Sequence, residues 1–244
     1  MIRFILVVIF VVGFLILSIP ALIVEYVIGK FNKDLKNRSS QKIVQGAFKI
    51  VLFLSGTDVT IKGFENIPKE EAVLYVPNHR SFFDIVITYS LCPGITGYVA
   101  KKSMEKIPLL SNWMKYLHCL FLDRNNLKEG MKTILMGIEY VKQGISICIF
   151  PEGTRNKTGN EMLPFKEGSL KIAEKAGCAI IPVALSNTSA IFEDQFPKIK
   201  KRHVILEYGK PIYAKDLSKE ERKFLGAYTR GMIQKMLDKN SAEV

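Results

Sequence analysis

Two short polar runs hold the side chains of this chain that could do chemistry. Residues 77–84 read Pro77-Asn78-His79-Arg80-Ser81-Phe82-Phe83-Asp84, and residues 150–155 read Phe150-Pro151-Glu152-Gly153-Thr154-Arg155. His79 is a base suited to neutral pH, and Asp84 is a carboxylate able to fix its tautomer and to stabilise the imidazolium formed when it takes a proton. In the second run Gly153 permits a tight turn, Thr154 offers a hydroxyl, and Arg155 offers the planar fork that grips phosphate. A base beside an anion-holding turn suits acyl transfer onto an alcohol that also bears a phosphate.

Spacing within the first run constrains the backbone. Residues five apart on one continuous helix point about 140° away from each other, so His79 and Asp84 need a bend between them. Pro77 disfavours helix at the residue before it and Ser81 is a good N-cap, which predicts His79 in a turn and Asp84 in the first turn of the following helix. Ser81-Phe82-Phe83-Asp84 also fits a capping box, in which Asp84 serves the helix instead of the histidine. The second run, with six fixed residue types, is the more specific signal; its bland counterpart is a surface turn of solvated charges. Lys101-Lys102 and Arg124 follow apolar stretches, and each alone reads as solvated surface charge. His118 and His203 are scattered and read as structural, and Ser81 lacks the GxSxG setting of a nucleophile.

Asn78-His79 with Asp84, then Phe121-Leu122-Asp123-Arg124, residues 150–155 and Ile180-Ile181-Pro182-Val183 follow the order of the four sequence blocks of the glycerolipid acyltransferases. The chain resembles that family over residues 64–211, and looks like its bacterial-type members that acylate lysophosphatidic acid. The resemblance implies that His79 is the catalytic base and Asp84 its partner. It associates Arg124, Glu152, Gly153 and Arg155 with acceptor binding, adds Lys101 or Lys102 as a phosphate contact, and places Asn78 and Thr154 in the same binding set. Departures are small: Leu122 stands where isoleucine is frequent, and Arg80-Ser81 lie in a variable gap. The implied reaction moves an acyl chain from acyl-CoA or acyl carrier protein to the free sn-2 hydroxyl of lysophosphatidic acid, giving phosphatidic acid. Because a thioester is already activated, no metal and no cofactor beyond that co-substrate is expected. Two alternatives remain at this level: glycerol 3-phosphate or another lysophospholipid as acceptor, and a non-catalytic, membrane-tethered module that binds polyanions.

These residues need elements to position them. With 35 Lys plus Arg against 23 Asp plus Glu in 244 residues, the formal charge of +12 favours an anionic partner. Anionic membrane lipid fits; nucleic acid does not, since no helix-turn-helix, RNP-type strand or zinc finger is apparent. Cys92, Cys119, Cys148 and Cys178 form no CxxC pair and read as reduced, buried small hydrophobes. Between residues 4 and 28 Glu25 is the only side chain charged at neutral pH, and the run is long enough to enter or cross a bilayer, with Pro20 leaving a span or a re-entrant kink open. Lys30, Lys33, Lys36, Arg38 and Lys42 follow against Asp34 alone, which puts the rest of the chain on the cytoplasmic face. Residues 43–54 read as a second, interfacial amphipathic helix. Past Gly56, apolar runs at 72–76, 97–100, 145–150, 179–185 and 204–208 alternate with helical stretches at 83–91, 109–117, 127–143, 166–176 and 219–239. That alternation predicts an α/β domain over 57–244, a mixed sheet flanked by helices, preceded by a membrane-anchoring helix or helix pair over 1–56. The loop 156–160 is the expected mobile connection.

Overall fold

The computed structural model describes residues 1–158 and 161–244, with three helices ahead of the first strand. α1 (Ile2–Leu17) and α2 (Ile19–Phe31) meet at Ser18 with a bend of 46°. Pro20 sits in the first turn of α2, where its missing N–H is harmless, but it cannot extend the hydrogen-bond ladder of α1. No described helix is alone long and apolar enough to cross a membrane, whereas the bent pair together meets that length and composition. Glu25 is buried and accepts bonds from Ser39 Oγ at 2.8 Å and Ser40 Oγ at 3.1 Å. Both serines lie on α3 (Lys33–Ser55), so the one acid of the apolar run faces protein.

Residues 43–54, expected as a separate interfacial helix, form the second half of α3, and one face of it is core. Val44 and Val51 are buried in the cluster that holds Ile87 of α4 (Phe83–Ser90). Gln41 Nε2 donates to the Gly94 carbonyl and Gln45 Nε2 to the Cys92 carbonyl, each at 2.9 Å, satisfying acceptors just past the end of α4. The opposite face of α3 keeps its apolar character in the open, with Ile50 and Phe53 exposed.

The remaining elements are β1 (Asp58–Lys62), β2 (Leu74–Pro77), β3 (Thr96–Lys101), α5 (Leu110–Tyr116), β4 (Leu120–Leu122), α6 (Leu127–Lys142), β5 (Ser146–Cys148), α7 (Lys171–Ala176), β6 (Ile180–Ser186), β7 (His203–Tyr208), α8 (Lys219–Lys223) and α9 (Leu225–Asn240). One seven-stranded sheet runs in the order β1-β7-β6-β2-β5-β3-β4. Every pairing is parallel except β6 with β7, so the expected mixed sheet is present. Central strands are apolar on both faces because both are covered. Val73 and Tyr75 face the layer of α3, α4 and α5, while Leu74 and Val76 face that of α6, α7 and α9.

Several boundaries differ from the sequence expectation. β1 and β4 were not foreseen. The stretch 166–176 begins as a 3₁₀ turn (Glu167–Leu170) before α7, in keeping with the poor helix formers Gly168 and Ser169. The stretch 219–239 breaks at Phe224 into α8 and α9. Glu167 explains the break, accepting from Gly226 N at 2.8 Å and Ala227 N at 3.3 Å and so capping α9 from another element. The four cysteines are free thiols, with Cys92, Cys148 and Cys178 buried. In the loop expected to be mobile, Asn156 is buried and its Oδ1 accepts from Thr158 N at 2.9 Å, while Gly159 and Asn160 lie outside the described residues.

Candidate active site

β2 and β5 are parallel neighbours, so the two polar runs leave the same end of the sheet side by side, in the crevice where open α/β sheets place ligands. The chain turns after Pro77, and His79 Nδ1 lies 2.9 Å from Asp84 Oδ2 in the first turn of α4. Asp84 Oδ2 also accepts from Arg80 N and Ser81 N, each at 2.7 Å, and Asp84 Oδ1 accepts from Thr188 Oγ1 at 2.5 Å. Asp84 thus closes N–H groups at the entry to α4 and holds the histidine ring, while the expected capping box is only half formed: Phe82 is the N-cap, and Ser81 Oγ accepts from Phe83 N at 2.9 Å instead of from Asp84 N. An ionised carboxylate only accepts, so Nδ1 carries the ring proton and Nε2 is left with a free lone pair. The His79 side chain is 14% exposed, and Phe150 stacks on its ring at a centroid distance of 4.1 Å.

Glu152 is buried; its Oε1 accepts from His79 N at 2.7 Å and its Oε2 from Leu163 N at 2.9 Å. The backbone N–H of Asn156, the residue after the second run, donates to the His79 carbonyl at 2.7 Å, so the base is gripped at both its backbone N–H and its carbonyl. Burial pushes the Glu152 carboxyl above the usual range, opposed by those two N–H donors and by His79. Asn78 is equally enclosed: its amide donates to the Leu185 carbonyl at 3.0 Å and accepts from Leu185 N at 2.8 Å, tying β2 to β6. Asn78 and Glu152, grouped by the resemblance with the acceptor-binding residues, are thus spent on backbone and place His79.

Gly153 adopts φ 74, the left-handed conformation a side chain resists, and an added Cβ would lie 3.1 Å from the Lys166 side chain. Thr154 is exposed at the turn. Arg155 lays its guanidinium over the Phe82 ring at 3.7 Å and donates from Nη1 to Glu193 Oε1 at 3.1 Å. Glu193 accepts in addition from Phe82 N and from Ser81 Oγ, each at 2.7 Å, which joins the two runs from a third side. Phe82, Arg155, Lys157, Phe192 and Glu193 line a cavity of about 380 Å³.

The other predicted cations sit farther along the same rim. Lys101 and Lys102 are exposed at the end of β3, with Lys102 paired to Glu105 at 2.7 Å, and Arg124 is exposed just after β4. β4 is three strands from β2, about 14 Å at roughly 4.8 Å per strand, so the structure does not bring Arg124 into the His79 cluster. His203 bonds Thr60 Oγ1 at 2.8 Å and His118 packs edge-on against Tyr140, both away from the site. Thr188, Glu193 and Lys166 were missed by sequence reasoning. The available signal for the first two was the apolar run 179–185, a strand ending beside β2, whose continuation had to emerge at the same rim.

The sequence profile of the acyltransferase family matches residues 58–186, just over half of the chain. A 1-acyl-sn-glycerol-3-phosphate acyltransferase of Saccharomyces cerevisiae is 31% identical over 193 residues, covering 78% of this chain and 62% of that protein. Proteins of the same name from Borreliella burgdorferi and Escherichia coli are 32% identical over 203 residues and 34% identical over 174 residues, covering 82% and 70% of this chain and 80% and 70% of theirs. In fold, the crystal structure of the 1-acyl-sn-glycerophosphate (LPA) acyltransferase from Thermotoga maritima superposes with a TM-score of 0.81 at 24% identity, covering 99% of this chain and 97% of that one.

Proposed function

The chain belongs to the acyltransferase family, and from that premise we propose that it moves an acyl chain from a thioester of coenzyme A or acyl carrier protein to the sn-2 hydroxyl of lysophosphatidic acid. The observation that carries the reading is the His79 Nδ1 to Asp84 Oδ2 bond of 2.9 Å, which leaves Nε2 to accept a proton. In the reaction Nε2 takes the proton of the acceptor hydroxyl as its oxygen attacks the thioester carbonyl. Asp84 stabilises the imidazolium, and the tetrahedral adduct collapses to the ester. The departing thiolate takes the proton back from His79, leaving phosphatidic acid and a free thiol. General-base catalysis of this kind supplies about 10² to 10⁴ in rate, with positioning and electrostatic stabilisation of the adduct supplying the rest. A thioester needs no further activation, so the reading calls on no metal and no cofactor. Arg155, with Lys157 on the same cavity, is the cation pair for the acceptor phosphate.

Residues 1–56 act as the anchor and 57–244 carry the chemistry on the cytoplasmic face. Support comes from the exposed apolar side chains of α1 and α2 and from the exposed Lys30, Lys33 and Lys42 beside them. Lys36 is set apart from that group, its ammonium lying 3.9 Å over the Tyr116 ring.

The test is thiol release from an acyl-coenzyme A by detergent-purified protein offered lysophosphatidic acid, glycerol 3-phosphate or a neutral lysolipid, with His79→Ala as control. Turnover confined to lysophosphatidic acid and reduced at least about 10²-fold in the variant is expected. Equal turnover of the neutral lysolipid would remove the phosphate from the reading, and near-normal turnover by His79→Ala would remove the mechanism.

A further inference from the structure

The segment after β6 meets the catalytic pair through one side chain. Thr188 is 1% exposed, and its hydroxyl donates to Asp84 Oδ1 at 2.5 Å. Asp84 Oδ1 has no other bond among the described residues, whereas Oδ2 carries three: His79 Nδ1, Arg80 N and Ser81 N. The Arg80 and Ser81 donors belong to the loop itself and come with the turn. Thr188 lies 104 residues from Asp84 in sequence and is brought there by the pairing of β6 with β2. Its own placement is fixed by the chain just before it, since β6 is buried throughout and Asn187 Nδ2 donates to the His203 carbonyl at 2.9 Å.

We infer that Thr188 is a positioning residue of the catalytic pair, its hydroxyl holding negative charge on Asp84 Oδ1, so that Oδ2, fixed toward His79 Nδ1 by Arg80 N and Ser81 N, stabilises the imidazolium less than it would alone. The inference rests on the reading of His79 as base, and it adds a third member, Thr188, that touches neither substrate nor imidazole. A hydroxyl bonded to Oδ1 draws negative charge toward that oxygen and away from the imidazole. Removing it concentrates charge on Oδ2, which stabilises the imidazolium and raises the pH at which His79 loses its proton. The charged groups around the ring are Asp84 from α4 and Glu152 from the turn after β5, with Arg80 adjacent in the chain; Arg155 and Glu193 are paired with each other. All of these are unchanged by substitutions at position 188.

The experiment follows the His79 imidazole by NMR titration in the full-length protein, assigned by its absence in His79→Gln, for the wild type, Thr188→Val and Thr188→Ser. Valine keeps the shape and loses the donor; serine keeps the donor. The expected result is an upward move of the His79 midpoint in Thr188→Val, by about half a pH unit or more, with return toward the wild type in Thr188→Ser. The acid limb of kcat/KM for thiol release should move in the same direction, because the base must be unprotonated. A midpoint unmoved or lowered in Thr188→Val, or not restored by serine, overturns the inference, even if the variant is less stable. If the wild type released no thiol from any acyl donor, the proposed function would fail, and the imidazole titration would still decide the role of Thr188.

Discussion

At the residue scale the site is a set of backbone grips around one imidazole. Glu152 shows what such a grip does to titration. Its carboxylate binds His79 N and Leu163 N in a place solvent does not reach, and burial raises its pKa above the ordinary range. Between the unfolded value of about 4.3 and that raised value, the folded protein holds a proton that the unfolded chain has lost. The stability tied to that proton is therefore complete below the unfolded pKa and is lost as pH rises through the folded one. Glu152→Gln cannot ionise, but its amide N–H₂ would face Leu163 N donor to donor, at a cost of about 1–3 kcal/mol. The variant should be less stable than the wild type, with a deficit that shrinks from about pH 4 to pH 7, in urea unfolding followed across that range. A deficit that is constant or grows with pH would show that the carboxyl does not titrate as its burial requires.

At the element scale, His79, Asp84, Glu152 and Arg155 were legible because each follows a strand whose apolar run is long enough to read, and a strand's end fixes where its next few residues go. Thr188 and Glu193 were not, since they are unremarkable polar residues until β6 is known to lie beside β2. β1 and β4 were lost for a related reason. β1 is an edge strand whose residues are all partly or fully exposed, and the three residues of β4 merge in sequence with the apolar end of α5. The break before α9 depends on Glu167, about sixty residues away, and no local pattern shows it. Gly97 is another tertiary constraint. A Cβ there would lie 2.2 Å from the His118 carbonyl oxygen, so β3 passes against the backbone that links α5 to β4. That atom cannot swing aside as a side chain would. Gly97→Ala should lose about 1–3 kcal/mol, or more if the β3 to β4 pairing yields. Gly231→Ala, on an exposed face of α9 with nothing within 4 Å, should gain about 0.5–1 kcal/mol. Denaturant midpoints of the two variants moving together would refute the steric account.

At the scale of the whole molecule, one helix faces both solvent and site. The inner side of α1 stacks Phe4 on Phe192 at 5.7 Å and Phe14 on Trp113 at 5.9 Å, and Trp113 Nε1 donates to Ser18 Oγ at 2.9 Å where α1 bends into α2. Phe192 adjoins Glu193, the partner of Arg155, so the outward-facing helix and the arginine proposed to hold the acceptor phosphate share one neighbourhood. Ile9 on the outer side of α1 is 64% exposed and Phe53 on α3 82%, and the anchor role proposed for these helices would set that apolar surface, on a chain of net charge +12, against lipid. Two forces would then hold the protein, and salt separates them. Each cation near an anionic bilayer adds about 1 kcal/mol, screened beyond a Debye length of about 10 Å at 0.1 M salt, while apolar insertion is not screened. Lys33→Glu and Lys42→Glu should weaken sedimentation with vesicles containing phosphatidylserine at low salt, and the difference from the wild type should fade at high salt. Ile9→Glu and Phe53→Glu should weaken it at both. The same pair should lose turnover of bilayer-embedded lysophosphatidic acid and keep turnover of a short-chain, monomeric one, because His79, Asp84 and Arg155 are untouched. Vesicle binding by the apolar variants equal to the wild type's would leave the outer faces of α1 and α3 without a lipid role, and loss of both activities would mean that the substitutions had reached the site.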